Sequence, residues 1–322
     1  MKEPFLHRVS SYDELWKEID FHDFAIPDEF NMGVACLDDQ DPEATALVIV
    51  ARDESGTSYT FGDVKARADR LANGLASLGI RRGDVVAVVN PASLETAVAY
   101  MAIFRMGAIV LPLSSLFGPD ALSFRLRNGE AKAVIASAAN RPKVREALEG
   151  VDVPIIVIGE TGEPSEHSFG DLIAGGAPEF TPVVTRAEEP CLLIYTSGTT
   201  GDPKGALHAQ RFVFGHITAF ETVYDFYPEP HDVLWSPADW AWIAGIMDIL
   251  VPAWWYGLPV VVDLDTVFNP ERAVWLMREH KVTLTLLPAT ALRMIRATGI
   301  SGEGLSMRAV CSGGEAVGAD LL

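Results

Sequence analysis

The residues best suited to chemistry lie in the run Tyr-Thr-Ser-Gly-Thr-Thr-Gly-Asp-Pro-Lys-Gly at positions 195–205. Glycine lets a backbone turn and approach a ligand without a Cβ clash, and this run has it at Gly198 and Gly201. Hydroxyl and ammonium groups can donate hydrogen bonds and neutralise negative charge. The groups of this kind in the run are Ser197, Thr199, Thr200 and Lys204. The run therefore predicts a loop that binds the phosphates of a nucleotide.

The sequence on either side of this run predicts how it is held. Residues 191–195 predict a short buried strand, and apolar periodicity from about 212 to 224 predicts a helix. A strand that opens into such a loop and then into a helix directs backbone N–H groups at a polyphosphate. The common phosphate-loop signature has another spacing, because here Asp202 and Pro203 separate the second glycine from the lysine. The alternative is a flexible surface turn, and an eleven-residue pattern after an apolar strand argues against it.

The composition narrows the class of protein. A chain of 322 residues exceeds the usual size of one compact domain and predicts two. Its 49% hydrophobic and 21% charged residues are typical of a folded, soluble protein. A net charge of −19 argues against a nucleic-acid partner. An anionic nucleotide must then be held by a local device, for which the loop, Lys204 and a divalent cation are suited.

The cysteines and the apolar stretches predict the compartment. Cys36, Cys191 and Cys311 are too few and too scattered for a disulfide framework or a zinc site, so we expect no protein-built metal site and a reducing, cytoplasmic location. The first residues contain no apolar signal segment. The longest uncharged apolar stretch, 249–262, contains two prolines and is too short to span a bilayer, so no membrane role is predicted.

Beyond the loop, helical and strand patterns alternate along the chain. Thr60 and Asp63 form a capping-box start for a helix that ends near Gly79. Uninterrupted apolar runs such as 85–89 predict strands that are covered on both faces. Strands are predicted at 85–89, 109–111, 133–136, 155–158, 191–195, 233–235, 260–262, 282–287 and 308–311. Their alternation with helices predicts an α/β fold of two mainly parallel sheets with flanking helices.

Residues 159–190 divide the chain by composition. They are rich in Gly, Pro, Glu and Thr, which predicts a linker or an irregular crossover. Residues 1–185 are accordingly predicted to form a first α/β subdomain with an N-terminal extension. Residues 186–322 are predicted to form a second α/β subdomain, which carries the loop.

Several stretches, taken in chain order, resemble motifs of the adenylate-forming superfamily: acyl-CoA synthetases, aryl and amino-acid adenylation domains, and luciferases. The run at 195–205 resembles the phosphate loop of that family. Residues 238–245 are similar to a motif of acetyl- and medium-chain acyl-CoA synthetases, with Ala241 where that pattern has glycine. The other stretches are 58–63, 104–113 with Gly118, Leu122 and Arg125–Leu126, and 312–316. The resemblance implies the fold of the N-terminal domain of such an enzyme.

The resemblance also implies roles for single residues. The ATP phosphates would be held by Thr196, Ser197, Gly198, Thr199, Thr200, Gly201 and Lys204, with Thr196 and Lys204 acting in catalysis. The adenine and the adjoining acyl-adenylate would lie along Gly313, Gly314, Glu315 and Ala316. The carboxylate pocket would be lined by Trp242, Ile243, Ala244 and Gly245. Alternatively, Trp240 and Trp242 are core aromatics and 313–314 is a turn. His208 and His216 are predicted to be structural or surface residues.

The implied reaction has two steps. A carboxylate attacks the α-phosphorus of Mg-ATP, which gives an acyl-adenylate and pyrophosphate; the thiol of coenzyme A then takes the acyl group, and AMP leaves. Between Trp240 and Met247 no carboxylate is present to neutralise a buried ammonium, which favours a simple carboxylic acid over an amino acid. The alternatives are a non-catalytic nucleotide-binding module, a phosphotransferase, and an aryl-acid, amino-acid or luciferase-like adenylating enzyme.

The extent of the resemblance sets one more expectation. Family motifs for metal, ribose and the C-terminal lid do not occur in these 322 residues, so we expect an N-terminal portion of an acyl-CoA synthetase. Alone, it is expected to bind nucleotide weakly and to turn over negligibly. Apolar surface exposed by truncation would favour self-association into a homo-oligomer.

Overall fold

The described strands form two mostly parallel sheets flanked by helices, which confirms the predicted fold class. The structure is a computed structural model that describes residues 2, 11–18, 26–196, 202–225, 228–319 and 321. The predicted phosphate-binding residues Ser197, Gly198, Thr199, Thr200 and Gly201 lie outside the described residues.

The strands, in chain order, are β1 (Thr45–Val50), β2 (Gly56–Thr60), β3 (Val85–Val89), β4 (Ile109–Pro112), β5 (Ala133–Ser137), β6 (Ile155–Ile158), β7 (His167–Ser168), β8 (Pro190–Thr196), β9 (Lys204–Ala209), β10 (Leu234–Trp235), β11 (Val260–Asp263), β12 (Leu284–Leu286) and β13 (Ala309–Cys311). One sheet has the order β7-β6-β5-β3-β4-β8-β9, and the other has the order β13-β12-β10-β11-β1-β2. Only the pairs β1–β2 and β8–β9 are antiparallel among these described strands.

The helices are α1 (Tyr12–Glu18), α2 (Met32–Leu37), α3 (Phe61–Ser77), α4 (Leu94–Arg105), α5 (Pro119–Asn128), α6 (Arg141–Ala147), α7 (Phe169–Gly175), α8 (Phe212–Val223), α9 (Ile243–Gly245), α10 (Val251–Trp255), α11 (Pro270–Glu279) and α12 (Ala289–Thr298). A π-helical turn, Ile246–Leu250, joins α9 to α10. Within the described residues, no helix combines the length and the apolarity needed to cross a bilayer.

The capping box predicted at the start of α3 is confirmed. The Thr60 side chain accepts a hydrogen bond from Asp63 N at 3.1 Å, and the Asp63 carboxylate accepts one from Thr60 N at 3.0 Å. These two bonds satisfy N–H groups that have no partner inside the helix. Gly79 follows α3 with a φ of +89°, a conformation that favours glycine, so the predicted stop is also observed.

The helix predicted at about 212–224 is confirmed as α8, but the prediction that it directly follows the phosphate loop is wrong, because a strand comes first. The loop leads into β9, which pairs antiparallel with β8, and α8 begins only at Phe212. The register places Tyr195 opposite Gly205 and Thr196 opposite Lys204. β8 and β9 are therefore the arms of a hairpin, and the element after the loop is β9 and not a helix. Residues 204–209 have a mostly accessible edge-strand pattern, which carries little apolar signal.

Three described regions contain more regular structure than their sequence predicts. The stretch before the capping box at Thr60 contains α2 and the hairpin β1–β2, which were not predicted, and this hairpin forms one edge of the six-stranded sheet. The predicted linker contains β7 and α7. Helix α6 was not predicted. These elements are short, so each gives little periodic signal of its own, and packing against neighbours supplies much of their stability.

The two sheets take strands from both sides of residue 185. β1 and β2 join the sheet that contains β10 to β13, and β8 and β9 join the sheet that contains β3 to β7. The largest apolar core contains side chains from both sheets and from α3, α4, α8 and α10. The division into subdomains 1–185 and 186–322 therefore stays a prediction. The two sheets do not divide the chain at that boundary.

Two of the cysteines lie in this core. Cys36 and Cys191 are fully buried. Burial raises the pKa of the Cys36 thiol to about 12, and it also raises the pKa of Cys191. Both side chains thus behave as small apolar groups. In the described part of the chain, no group of three or more His, Cys, Asp or Glu side chains could hold a metal ion.

Candidate functional site

A cavity of about 270 Å³ lies where the carboxyl ends of strands from both sheets meet. Segments that follow β3, β4, β10 and β11 line it, and they contribute Pro91, Ser115, Ser236, Asp239, Asp263 and Asn269 among others. Ligands of open α/β sheets bind outside the carboxyl ends of the strands. Apolar walls with a few polar groups are typical of small-molecule sites, and Trp235, Trp240 and Phe268 supply such walls.

Asp239 links the two sheets at this cavity. Its Oδ2 accepts a hydrogen bond from Ser114 Oγ at 3.0 Å, and Ser114 follows β4 in the other sheet. Its Oδ1 accepts one from Ala241 N at 3.0 Å, which shapes the turn that leads to α9. Sequence reasoning gave Asp239 no role, although an aspartate at a turn within a recognised motif is a signal that could have shown it.

Gly245 is required by a close approach of the backbone. A Cβ atom at this position would lie 2.5 Å from the carbonyl oxygen of Asp239. The same oxygen accepts a hydrogen bond from Trp242 N at 3.0 Å. Gly245 is buried, so its observed contribution is to let α9 pack against the turn at Asp239. Any contact of Gly245 with a substrate stays a prediction.

The other residues predicted for the carboxylate pocket are accessible. Trp242 is 43% exposed, and its ring meets Phe117 edge to face at a centroid distance of 5.9 Å. Ile243 and Ala244 are half-buried. Trp240 is instead a core aromatic, 3% exposed, and the Tyr100 hydroxyl donates to its carbonyl oxygen at 3.1 Å. Residues 242–245 do not line the cavity, but they continue the chain from its wall at Asp239 and Trp240.

The hairpin β8–β9 places the two predicted catalytic residues together. Thr196 and Lys204 are directly opposite each other, as the pair nearest to the loop, and both are exposed. The Cα atoms of such a pair lie roughly 5 Å apart. Residues 197–203 connect them in the sequence, and a contact of Lys204 with phosphate stays a prediction.

The end of β8 next to the loop is anchored to α5. The Tyr195 hydroxyl donates to Asn128 Oδ1 at 2.6 Å. The Arg125 guanidinium lies over the rings of Phe117 and Tyr195, at 4.2 and 5.7 Å from their centroids. Burial raises the pKa of Tyr195, so its hydroxyl stays neutral and can donate. These contacts hold the strand that leads into the loop.

The predicted adenine segment follows β13. Gly314 has a φ of +82°, a conformation that favours glycine, and the chain bends at 314–315. The Glu315 carboxylate accepts hydrogen bonds from Thr290 N at 2.9 Å and from Thr290 Oγ1 at 2.8 Å, and Arg293 donates to the Ala316 carbonyl oxygen at 3.1 Å. The backbone and hydroxyl bonds from Thr290 lower the pKa of Glu315.

Glu315 thus caps α12, a role that its sequence position did not predict. The residue before α12 is Pro288, which has no side-chain group to bind the first N–H groups of the helix. The carboxylate of Glu315 binds one of them instead, and a negative charge at a helix N-terminus is favourable. The cap also fixes residues 314–316 against α12, while contacts of 313–316 with adenine stay a prediction.

Fold and site together define a class: α/β proteins that bind a ligand at the carboxyl ends of parallel strands, here beside a Gly-, Ser- and Thr-rich hairpin. Residues 37–322 match the family model described as AMP-binding enzyme. The chain belongs to that family, as its motifs predicted.

Curated relatives include acetyl-coenzyme A synthetase of Salmonella typhi, which is 30% identical over 323 residues covering 89% of this chain and 48% of that protein. Acetyl-coenzyme A synthetase of Streptomyces coelicolor is 32% identical over 76% of this chain and 41% of its own length. The chain thus spans about half the length of the curated relatives it matches.

Solved structures agree in fold. An acyl-CoA synthetase of Brucella canis matches with a TM-score of 0.89 and 26% identity, over 97% of this chain and 59% of that chain. A benzoate CoA ligase of Burkholderia xenovorans matches with a TM-score of 0.78 and 21% identity, over 91% of this chain and 57% of that chain. The second likeness concerns the fold alone.

Proposed function

We propose that the whole protein activates a carboxylic acid with ATP and transfers the acyl group to coenzyme A. The carboxylate attacks the α-phosphorus of ATP, the bond from that phosphorus to the bridging oxygen breaks, and pyrophosphate leaves. The thiolate sulfur of coenzyme A then bonds to the acyl carbon, and AMP leaves with the electron pair of the acyl–oxygen bond. Membership of the AMP-binding enzyme family and the acetyl-CoA synthetase relatives support this proposal.

The observation that carries the proposal is the pairing of Thr196 with Lys204 at the end of the hairpin next to the loop. The first step brings two anions together, so positioning and charge neutralisation dominate its barrier. An ammonium group from Lys204 and a hydroxyl from Thr196, on opposite strands, would flank the phosphates from two sides. Mg²⁺ would be carried by the ATP phosphates and would neutralise part of their charge, and we assign it no protein ligand.

The acid would occupy the accessible face at Trp242, Ile243 and Ala244. These residues follow the turn at Asp239, which ties the carboxyl ends of both sheets together. An apolar wall with an aromatic edge accommodates a carbon chain or a ring. Aryl acids therefore belong in the substrate panel beside short alkanoates.

The test is acid-dependent ATP–pyrophosphate exchange by the whole protein, followed by analysis of products with coenzyme A. We expect AMP, pyrophosphate and an acyl thioester in equal amounts. Release of ADP would identify a phosphotransferase instead. Tight binding of Mg-ATP without exchange for any acid would identify a non-catalytic nucleotide-binding module.

We further propose that residues 1–322, assayed alone, exchange far more slowly than the whole protein. They span about half the length of the curated relatives, and each missing positioning group costs orders of magnitude in such a reaction. Exchange by both forms at similar rates would contradict this. Sedimentation of the isolated chain tests the predicted self-association, and fractionation of cells tests the predicted cytoplasmic location.

A further inference from the structure

The proposed reaction gives no role to a hydrogen-bonded pair next to the acid pocket. His216 Nδ1 and Asp248 Oδ1 lie 2.7 Å apart and connect α8 to the π-helical turn between α9 and α10. Turns of this kind inside a helix are rare and occur frequently at functional sites. The sequence-based prediction that His216 is a structural or surface residue did not include this partner.

Asp248 is accessible in a helix that is otherwise almost entirely buried. Of helical residues 243–255, all of them described, only Ile243, Ala244 and Asp248 are not buried. The Asp248 side chain is 37% exposed and that of His216 is 18% exposed. Residues four apart share a helix face, so Asp248 continues the face of Ala244. The accessible strip of this helix therefore joins the predicted acid pocket to a carboxylate.

A row of rings connects this carboxylate with the hairpin. The His208 ring stacks on Phe212 at 4.0 Å, and Phe212 meets His216 edge to face at 4.5 Å. Lys204 and His208 are four residues apart on β9, so their side chains lie on the same face of the strand. The row of rings therefore leads from the strand face that carries Lys204 to the pair His216–Asp248.

Tyr224 supplies a hydroxyl at the end of α8, the helix that carries His216. Its hydroxyl is fully buried and has no hydrogen-bond partner among the described residues. Burial raises the pKa of Tyr224, and the Asp248 carboxylate raises it further, so this hydroxyl is neutral and can donate a hydrogen bond. Buried hydroxyl groups without a partner are uncommon in native proteins, and a functional role or a bound water or ion is among their explanations.

We infer that Asp248, oriented by His216, binds a hydrogen-bond donor on the carbon chain of the acid. A carboxylate offers about four acceptor positions, and the imidazole N–H occupies one of them. An unsubstituted chain would remove water from Asp248 without replacing its hydrogen bonds, whereas a hydroxyl or ammonium group would replace them. The substrate class is therefore a carboxylic acid that carries a hydroxyl or an amino group.

This inference rests on the proposed function and revises one sequence argument. The segment from Trp240 to Met247 has no carboxylate, which favoured an unsubstituted acid over an amino acid. Asp248 lies one residue beyond that segment, and the fold places it on the same accessible face. The accessible face of this helix thus includes one carboxylate, that of Asp248.

The test compares matched acids in ATP–pyrophosphate exchange by the whole protein. For each chain length from about three to six carbons, the terminal-hydroxy and terminal-amino acids are compared with the unsubstituted acid of equal size. At the best length, we expect kcat/KM to be higher for a substituted acid by about tenfold or more, through a lower KM, because sites built for a polar group discriminate strongly against its loss. A preference for the amino acid indicates recognition of charge, and a preference for the hydroxy acid indicates a neutral donor.

Two variants test whether Asp248 causes the preference. Asp248→Asn should remove the preference for the amino acid, and Asp248→Leu should remove both preferences, because leucine has no acceptor. Asp152→Asn, an exposed aspartate before β6, is the matched control and should keep both. Circular dichroism checks that each variant is folded. For the amino acid, either variant alone tests the role of Asp248, because both remove the negative charge.

Three results would overturn the inference. One is a wild-type preference for unsubstituted acids at every length, and another is an unchanged preference in Asp248→Leu. The third is the absence of exchange with any acid, which would first overturn the proposed function and remove the inference with it. The first two leave exchange intact, so the two failures are distinguishable.

Discussion

Two parts of the site are built in different ways. The hairpin β8–β9 is held by backbone pairing along its length, and β8 also pairs with β4 in the interior of its sheet. The segments that follow β10 and β13 are turns held by side chains: Asp239 binds Ser114 and Ala241 N, and Glu315 binds Thr290. β13 is an edge strand of three residues.

The difference determines whether a residue of the site can be substituted without loss of the fold. On the hairpin, the backbone sets the geometry, so an exposed side chain such as Lys204 can change without loss of the fold. In the two turns, the residues next to the candidate ligand also hold the chain in place. Substitutions there are expected to alter stability and ligand binding together.

The largest effect is expected at the hairpin. Lys204→Ala should lower kcat/KM of acid-dependent exchange in the whole protein by about 10²–10³-fold, because one preorganised charged group is lost from the transition state. The thermal midpoint should not change, since Lys204 is exposed at the end of β9. Lys132→Ala, an exposed lysine before β5, is the control. A loss smaller than tenfold would remove Lys204 from the proposed mechanism.

The next effect concerns the frame of β13. Asp232 accepts hydrogen bonds from Arg308 Nη2 at 2.5 Å and from Thr283 Oγ1 at 2.7 Å, and these residues precede β13 and β12. Asp232→Asn should lower the free energy of unfolding by about 2–3 kcal/mol, less than for a fully enclosed pair because Arg308 is partly exposed and can be hydrated. Denaturant titration measures it, and Asp152→Asn should change it little.

The same pair predicts a dependence on pH. Burial raises the pKa of Asp232, but bonds from Arg308, Thr283 and Glu229 N outweigh burial and hold that pKa below its ordinary value of 3.8. A depressed pKa in the folded state gives stability that is present above 3.8 and is lost as the pH falls through the lower, folded value. The difference in unfolding free energy between wild type and Asp232→Asn should thus be constant near neutral pH and shrink below 3.8. A difference that grows on acidification would contradict this.

The turn after β10 should respond to one added methyl group. Gly245→Ala places a Cβ against the carbonyl oxygen of Asp239, a backbone atom that cannot move aside alone. We expect a loss of about 1–3 kcal/mol in unfolding free energy and a higher KM for the acid. Gly215→Ala on α8 meets no atom within 4 Å and should be neutral or stabilising. Equal unfolding free energies for the two variants would show that the close approach of Gly245 to Asp239 does not require glycine.

The smallest effect is expected at the cap of α12. Glu315→Gln keeps an acceptor for Thr290 but loses the charge that favours the helix N-terminus. Amide hydrogen exchange should become faster in the first turn of α12, with little change in the hairpin. Glu303→Gln, an exposed glutamate after that helix, is the control. Unchanged exchange at Thr290 would show that the cap contributes nothing measurable.

The sequence predicted the parts of the fold whose signal is local. β3 and β6 were predicted with the bounds they have, because each is a continuous apolar run. The start of α3 was predicted because its capping box lies within four residues. β2 and β9 were missed because they carry few apolar residues and are stabilised by pairing with β1 and β8, whereas β1 was missed although residues 46–50 form an apolar run like that of β3.

For the site, the sequence by itself determined the residue types of the phosphate loop and, through its motifs, the family. It could not determine which side chains meet, since Ser114 and Asp239 are 125 positions apart and His216 and Asp248 are 32 apart. Contacts at such separations depend on the order of strands in the two sheets, and local periodicity does not encode that order. The tertiary structure alone therefore decided that Glu315 caps a helix and that Asp248, paired with His216, is accessible on the same helix face as Ala244.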